Sequence, residues 1–210
     1  MKKIAKNILQ NAHTYESYRQ LIDTLFTQNK TTGDDHSEAM LAYTKLNLAR
    51  MNKWDKRTRL TPETLQNLSK IQRPLTWLVI TEGWCGDAAQ IVPVLHKMAL
   101  ENDNITLRFI LRDAHPDIID AFLTNSGRSI PKVIILDTET SEVLNSWGPR
   151  PTEMQAMMMG VKAKSATIAD AAKKKTLSQE AAQQLHLWYA KDKAKTTQQE
   201  FLAGVGSQIT

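Results

Sequence analysis

The chain has only one cysteine among its 210 residues, Cys85. A single cysteine excludes an intramolecular disulfide, which is typical of a reducing compartment, so we expect a cytoplasmic protein. Long hydrophobic runs are also absent: the most apolar region starts at residues 75–80, a run far too short to span a bilayer. Polar residues interrupt the basic N-terminal segment 1–13, so we expect no signal peptide and no membrane partner.

Metal-ligand spacing is absent as well. The acidic segment 34–38, Asp-Asp-His-Ser-Glu, contains ligand types, but Asp35 followed by Glu38 is better interpreted as a helix cap. We therefore expect no metal and no cofactor. The scattered histidines are His13, His36, His96, His115 and His186.

The net charge of +5 is unevenly distributed. Residues 74–150, which contain Cys85, carry 6 Lys or Arg against 10 Asp or Glu, so the basic excess lies at both ends of the chain. The lysine run at 173–175 could meet nucleic acid or an anionic surface, but no nucleic-acid motif accompanies it. We interpret it as a solvated polar face and expect no nucleic-acid partner.

Helical periodicity dominates both ends of the chain. It predicts one helix over residues 14–28 and a second that ends at about residue 52. A third helix is capped by Thr61 and has Pro62 in its first turn. The chain is predicted to be helical again from Pro151, with one helix over 178–193. A capping box of Thr197 and Glu200 predicts the start of the last helix.

The centre alternates between strands and helices. Short apolar or alternating runs predict strands at 75–81, 105–111, 131–137 and 143–147, with helices at 87–101 and 115–127. The helix between the first two strands makes them parallel through a right-handed crossover, and the short turn between the last two makes them antiparallel. The sequence therefore predicts an α/β fold with a four-stranded mixed sheet and helices on its faces.

This element order, together with three motifs, resembles the thioredoxin superfamily. Trp-Cys-Gly at 84–86 follows the first strand, Pro93 interrupts the helix after it, and Ile130–Pro131 precedes the third strand. The closer resemblance is to bacterial thioredoxin-like proteins with Trp-Cys-Gly-Asp, here residues 84–87. The resemblance implies a thioredoxin-like core at 73–162, between an N-terminal helical extension at 1–72 and a C-terminal one at 163–210. It also implies a cis peptide bond before Pro131.

Three positions depart from that family's pattern. The family's second cysteine falls at Ala88, its intervening proline at Asp87, and its buried acid on the first strand at Val79. One chain therefore cannot run a dithiol–disulfide cycle. A mixed disulfide or a sulfenic acid at Cys85 would have to be resolved from outside, by a low-molecular-weight thiol or a protein thiol.

The predicted reactivity of Cys85 depends on two opposing effects. A helix N-terminus favours the thiolate, whereas the carboxylate of Asp87 disfavours it. We expect an accessible thiol with a pKa below that of a free cysteine. The alternative is an inert, buried cysteine.

The residues around Cys85 are the candidate substrate-binding residues. Trp84 either lines a substrate surface or packs against the sheet edge, and a cis Pro131 would place Ile130 beside Cys85. The leading hypothesis is a single-thiol redox protein with Cys85 as the catalytic nucleophile, and the alternative is a redox-inactive binding or scaffolding module. The sequence indicates no oligomeric state. The substrate-binding candidates are Trp84, Gly86, Asp87, Ile130 and Pro131.

Overall fold

The computed structural model describes residues 2–206. Four helices precede the first strand: α1 (Lys6–Asn11), α2 (Tyr15–Thr27), α3 (Glu38–Arg57) and α4 (Pro62–Leu68). The centre contains β1 (Leu75–Thr81), α5 (Gly86–Ala99), β2 (Ile105–Leu111), α6 (Pro116–Asp120), β3 (Lys132–Asp137) and β4 (Val143–Trp147). The C-terminal helices are α7 (Thr152–Thr167), α8 (Ala171–Asp192) and α9 (Lys195–Gly206).

The four strands form one mixed sheet in the order β2-β1-β3-β4. β1 runs parallel to β2 and antiparallel to β3, and β3 runs antiparallel to β4. All seven residues of β1 are buried, as expected for a central strand covered on both faces. The predicted α/β fold, with its four-stranded mixed sheet and flanking helices, is confirmed.

The N-terminal segment pairs with both outer strands. Lys3 forms a bridge with Glu142 next to β4, and His13 forms one with Phe109 in β2. The His13 and Phe109 backbones exchange two hydrogen bonds of 2.9 Å. These pairings use backbone groups that would otherwise be free on the sheet edges, where a second chain could add a strand.

Helix starts follow local capping chemistry. The Thr61 hydroxyl accepts a hydrogen bond from the Thr64 N–H at 3.1 Å, which confirms the predicted cap of α4. The cap of α3 lies two residues after the predicted Asp35, because Ser37 caps the helix and Asp35 instead accepts from the Ser37 N–H at 2.9 Å.

Two helix boundaries were predicted wrongly. α6 ends at Asp120, well before Gly127, because Asn125 and Ser126 adopt left-handed conformations and Thr124 pairs with Gly127. α9 begins before the predicted Thr197 capping box, and Thr197 is buried inside it. A capping-box pattern inside a helix is indistinguishable by sequence from one at its start.

Helices from both flanking parts of the chain pack on the central elements. α3 lies along α5, and α9 lies against α4 and β4. The Phe201 ring of α9 meets the Trp77 ring of β1 edge-on, with centroids 4.6 Å apart, so the C-terminal helix contributes to the core. Across residues 2–206, no helix combines the length and the hydropathy that crossing a membrane requires.

Candidate functional site around Cys85

Cys85 is the N-cap residue of α5, in the turn that follows β1. Its N–H donates to the Glu82 carbonyl at 3.1 Å, and its carbonyl accepts from the Ala89 N–H at 3.2 Å, which fixes the start of the helix. The side chain is turned inwards: only 8% of the residue is exposed. Its thiol donates a hydrogen bond to the Ile130 carbonyl at 3.3 Å.

Burial raises the pKa of the Cys85 thiol to about 12, and the negative charge of Asp87 adds to the shift. The backbone N–H groups of Ala88 and Asp87 and the guanidinium of Arg150 act in the opposite direction but do not compensate. The sequence-based expectation of an accessible thiol with a lowered pKa is therefore wrong. The desolvation cost outweighs the helix N-terminus because neighbouring elements cover the turn.

The segment preceding β3 forms one side of the site. The Ile130–Pro131 peptide bond is cis, and Ile130 lies beside Cys85 through the thiol–carbonyl contact. Gly148 closes over this segment with φ at +113°, and a Cβ at this position would come within 2.3 Å of the Pro131 carbonyl oxygen. Only glycine fits there, so the chain after β4 lies directly against Pro131.

Asp87 lies inside the site, with 7% of the residue exposed. Its Oδ2 accepts hydrogen bonds from Arg150 Nε at 3.0 Å and Nη2 at 2.6 Å, and its Oδ1 accepts one from the Tyr189 hydroxyl at 2.7 Å. A carboxylate this buried needs such partners. Arg150 and Tyr189 were missed by sequence reasoning, since no motif or spacing connects them to Asp87.

Helix α8 covers the Cys85 turn from outside. A Cβ on Gly86 would lie 3.4 Å from His186 Cε1 and 3.7 Å from Arg50 Nη1 of α3. Burial and the charge of Arg50 lower the pKa of His186 to about 4, so its ring is neutral at pH 7. Arg50, His186 and Tyr189 are called the helical cover below.

A hydrogen-bond chain ties the helical cover to α3 and α5. Gln90 of α5 lies 3.2 Å from His186 Nδ1 through its amide nitrogen and accepts a hydrogen bond from the Trp54 indole through its amide oxygen. Both amide atoms of a buried Gln90 are thereby used. α3, α5 and α8 meet at this one side chain.

Trp84 lies on the other side of the turn, half-buried. The Arg112 guanidinium lies 4.7 Å from the centroid of its ring, a cation–π contact. The loop before α3 packs on it, since a Cβ on Gly33 would lie 3.0 Å from Trp84 Nε1. Trp84 therefore contacts other parts of this chain, and its role in substrate binding stays a prediction.

Glu82 is a buried carboxyl group beneath the same loop. It accepts hydrogen bonds from the Thr32 hydroxyl and, at 3.0 Å, from the Asp113 N–H. Burial raises the pKa of Glu82 to about 7, although both hydrogen bonds lower it. Glu82 is therefore titratable near neutral pH.

The site combines a protonated thiol, a cis-proline segment and a closed carboxylate–guanidinium–phenol cluster. Within residues 2–206 no group of three or more His, Cys, Asp or Glu side chains is arranged to hold a metal ion. In the described conformation the thiol is largely withdrawn from solvent, since only 8% of Cys85 is exposed and its sulfur is bonded to the Ile130 carbonyl.

Comparisons with known proteins agree with this architecture. A family model described as thioredoxin matches residues 33–175. The chain is similar to the crystal structure of a protein of unknown function from Pseudomonas aeruginosa, at 19% identity and a TM-score of 0.61, with 98% of this chain and 99% of that chain covered. It is also similar to an HIV epitope-scaffold, at 17% identity and a TM-score of 0.58, with 96% and 97% covered. None of the curated proteins matches the chain.

Proposed function

This chain belongs to the thioredoxin family, and from that premise we propose that it is a thioredoxin-fold binding module whose thiol is redox-silent in the described conformation. The observation that carries the proposal is the burial of Cys85, which is 8% exposed and donates its thiol proton to the Ile130 carbonyl at 3.3 Å. This burial raises the pKa of the thiol to about 12. Such a thiol is protonated at pH 7. The thiolate, and not the thiol, attacks disulfides.

The absence of a resolving thiol supports the same proposal. Ala88 stands where a family dithiol would have its second sulfur, and Cys85 is the only cysteine of the chain. Two of the predicted substrate-binding residues are in contact with the helical cover, since Tyr189 is bonded to Asp87 and His186 lies against Gly86, and this supports the proposal. The fold is retained, whereas two requirements of dithiol exchange, a resolving thiol and a free substrate surface, are not met.

Alkylation of the native protein tests the proposal. Iodoacetamide at pH 7.5, followed by intact-mass analysis, is expected to label Cys85 slowly before unfolding and completely in guanidinium chloride. The matched control is Cys85→Ala combined with Ser178→Cys, which places a thiol at an exposed position of α8. Native labelling of Cys85 at the rate of that exposed control would overturn the proposal.

A second candidate function is single-thiol exchange with an external thiol. It is favoured by the position of Cys85 as the N-cap of α5, where the N–H groups of Asp87 and Ala88 stabilise a thiolate. The Cys85 thiolate would attack a disulfide, form one new S–S bond and release one thiolate. A low-molecular-weight thiol such as glutathione, or a protein thiol, would then attack the mixed disulfide and free Cys85.

Glutathione disulfide separates the two candidates. If single-thiol exchange is the function, native protein gains the mass of one glutathione at neutral pH, and added reduced glutathione removes it. If the module is redox-silent, the adduct forms only after unfolding. Cys85→Ser is the control for adducts at any other group.

A further inference from the structure

A cavity of about 320 Å³ lies between the C-terminal ends of α3 and α8. Four of its six lining residues are cationic and none is acidic. The volume is at the lower end of the range for small-molecule sites, so an occupant must be small. The lining residues are Lys53, Trp54, Arg57, Arg59, Ala190 and Lys193.

No ion pair within residues 2–206 involves a cationic side chain of this cavity. Among these four side chains in the described residues, only that of Arg59 donates hydrogen bonds, from Nη1 to the backbone carbonyls of Lys56 and Thr58. The two acids adjacent in sequence are engaged elsewhere, Asp55 by Tyr15 and Arg19 and Asp192 by Thr196. Like charges that converge without counter-charges create a strong positive potential.

The backbone holds one of these cations in an unfavourable conformation. Lys193 is the C-cap of α8 with φ at +55°, in the left-handed region. Glycine or asparagine is the usual residue at such a helix end, yet here the position carries a cation that lines the cavity. Trp54 forms an apolar wall, fixed by the hydrogen bond from its indole to Gln90.

We propose that this cavity binds a small phosphate-bearing anion of about the size of a pyrophosphate group. Two arginines offer planar donor forks that match phosphate oxygens, and two lysines add mobile point charges. The small volume of the cavity favours a compact anion over the extended backbone of a nucleic acid, which needs a longer basic track. The site is separate from the Cys85 site, and the proposal does not rest on the proposed function.

Calorimetric titration of the full chain with inorganic pyrophosphate tests the assignment. We expect saturable binding of one pyrophosphate per chain and a loss of affinity of at least tenfold in Lys53→Gln combined with Arg57→Gln. Both residues are exposed on α3, so the variant is expected to keep the melting temperature of the wild type. Binding should also weaken as salt is added.

The matched control removes the same charge from elsewhere. Lys173→Gln combined with Lys174→Gln neutralises two exposed lysines at the other end of α8 and is expected to bind like the wild type. Equal losses in both variants would show that net charge alone attracts the anion and would overturn the assignment. So would the absence of saturable binding, or tighter binding of a single-stranded oligonucleotide than of pyrophosphate that depends on Lys53 and Arg57.

Discussion

Asp87 receives hydrogen bonds from residues that lie 63 and 102 positions further along the chain, Arg150 and Tyr189. At the scale of single residues this carboxylate does two things: it joins the turn before α7 and helix α8 to the start of α5, and its charge raises the pKa of Cys85. An acid in a first helical turn is expected from the helix dipole alone. Its long-range partners make it part of the site.

Removal of that charge should change the thiol. In Asp87→Asn, Arg150 keeps its positive charge beside Cys85, so we expect the pKa of the thiol to fall by about one unit and the free energy of unfolding by about 2 kcal/mol. The pH dependence of iodoacetamide labelling measures the first, and denaturant unfolding measures the second. Asp117→Asn, at an exposed acid of α6, should change neither. An unchanged labelling midpoint in Asp87→Asn would contradict the role given to this charge.

Glu82 provides a second prediction at this scale, because its pKa is raised from 4.5 to about 7. The folded state holds the proton more tightly than the unfolded state, so this group stabilises the fold fully below pH 4.5 and loses that contribution as pH rises towards 7. The loss is at most about 3 kcal/mol. Glu82→Gln, which mimics the protonated carboxyl group, should not show this loss of stability as pH rises.

Unfolding in denaturant at pH 5 and pH 8 gives the required comparison. The wild type is expected to lose more stability between these two pH values than Glu82→Gln does, while Glu101→Gln, at an exposed acid, should behave like the wild type. Identical pH dependence in the wild type and Glu82→Gln would mean that Glu82 titrates at its ordinary pKa in the folded protein.

At the scale of elements, helix α8 packs against the turn that carries Cys85. It contributes His186 and Tyr189 to the helical cover, and Tyr189 is held by its bond of 2.7 Å to Asp87. Burial also raises the pKa of Tyr189 well above its usual value, so the hydroxyl keeps its proton and remains a donor at all physiological pH values.

The cover should loosen when that bond is removed. A hydrogen bond to a charged group contributes about 1.5–3 kcal/mol, so Tyr189→Phe is expected to raise the native labelling rate of Cys85 by about tenfold or more if labelling follows opening of the cover. Tyr43→Phe makes the same chemical change at a residue that is 53% exposed and should have no effect. Equal labelling rates in both variants would show that α8 does not limit access.

The elements that the sequence predicted correctly are those with their own local signal. β1 is a continuous apolar run, β2 alternates, and α4 has a threonine cap followed by proline, so periodicity and capping were sufficient. The end of α6 was predicted wrongly because a two-residue left-handed turn at Asn125 and Ser126 replaces the helix there. Both residues are polar turn formers, but the apolar spacing before them masked that signal.

The candidate site was predictable only in part, for a related reason. Cys85 at a helix start follows from the order of elements, whereas the position of Ile130 beside it was implied by the family resemblance. In the structure Cys85 is the N-cap of α5, and its thiol lies 3.3 Å from the Ile130 carbonyl oxygen. The burial of the thiol was not predictable, because it depends on where α3 and α8 pack. Neither helix carries a sequence motif that predicts its packing position. Tertiary contacts of this kind determine a pKa far more than the residues adjacent in sequence.

At the scale of the whole molecule, the two ends of the chain converge on one place. α3 from the N-terminal part and α8 from the C-terminal part both contact the Cys85 turn, and both line the cationic cavity. The division into extensions at 1–72 and 163–210 around a core at 73–162 stays a prediction. Trp54 and Gln90 connect the cationic cavity with the Cys85 site. Trp54 lines the cavity and donates to Gln90, and Gln90 contacts His186 of the helical cover.

A ligand that bridges α3 and α8 should therefore hold the helical cover closed. An anion bound between Lys53 or Arg57 and Lys193 favours the arrangement in which these helices are adjacent, and linkage requires that it disfavour any state in which they separate. Saturating pyrophosphate is expected to raise the melting temperature. It should also slow iodoacetamide labelling of native Cys85, and the factor should equal the ratio of the pyrophosphate affinities of the closed and open states. Lys53→Gln combined with Arg57→Gln should abolish both effects, and Lys173→Gln combined with Lys174→Gln should preserve them. If pyrophosphate binds saturably but labelling is unchanged, opening of the cover does not separate α3 from α8, and the two sites are independent.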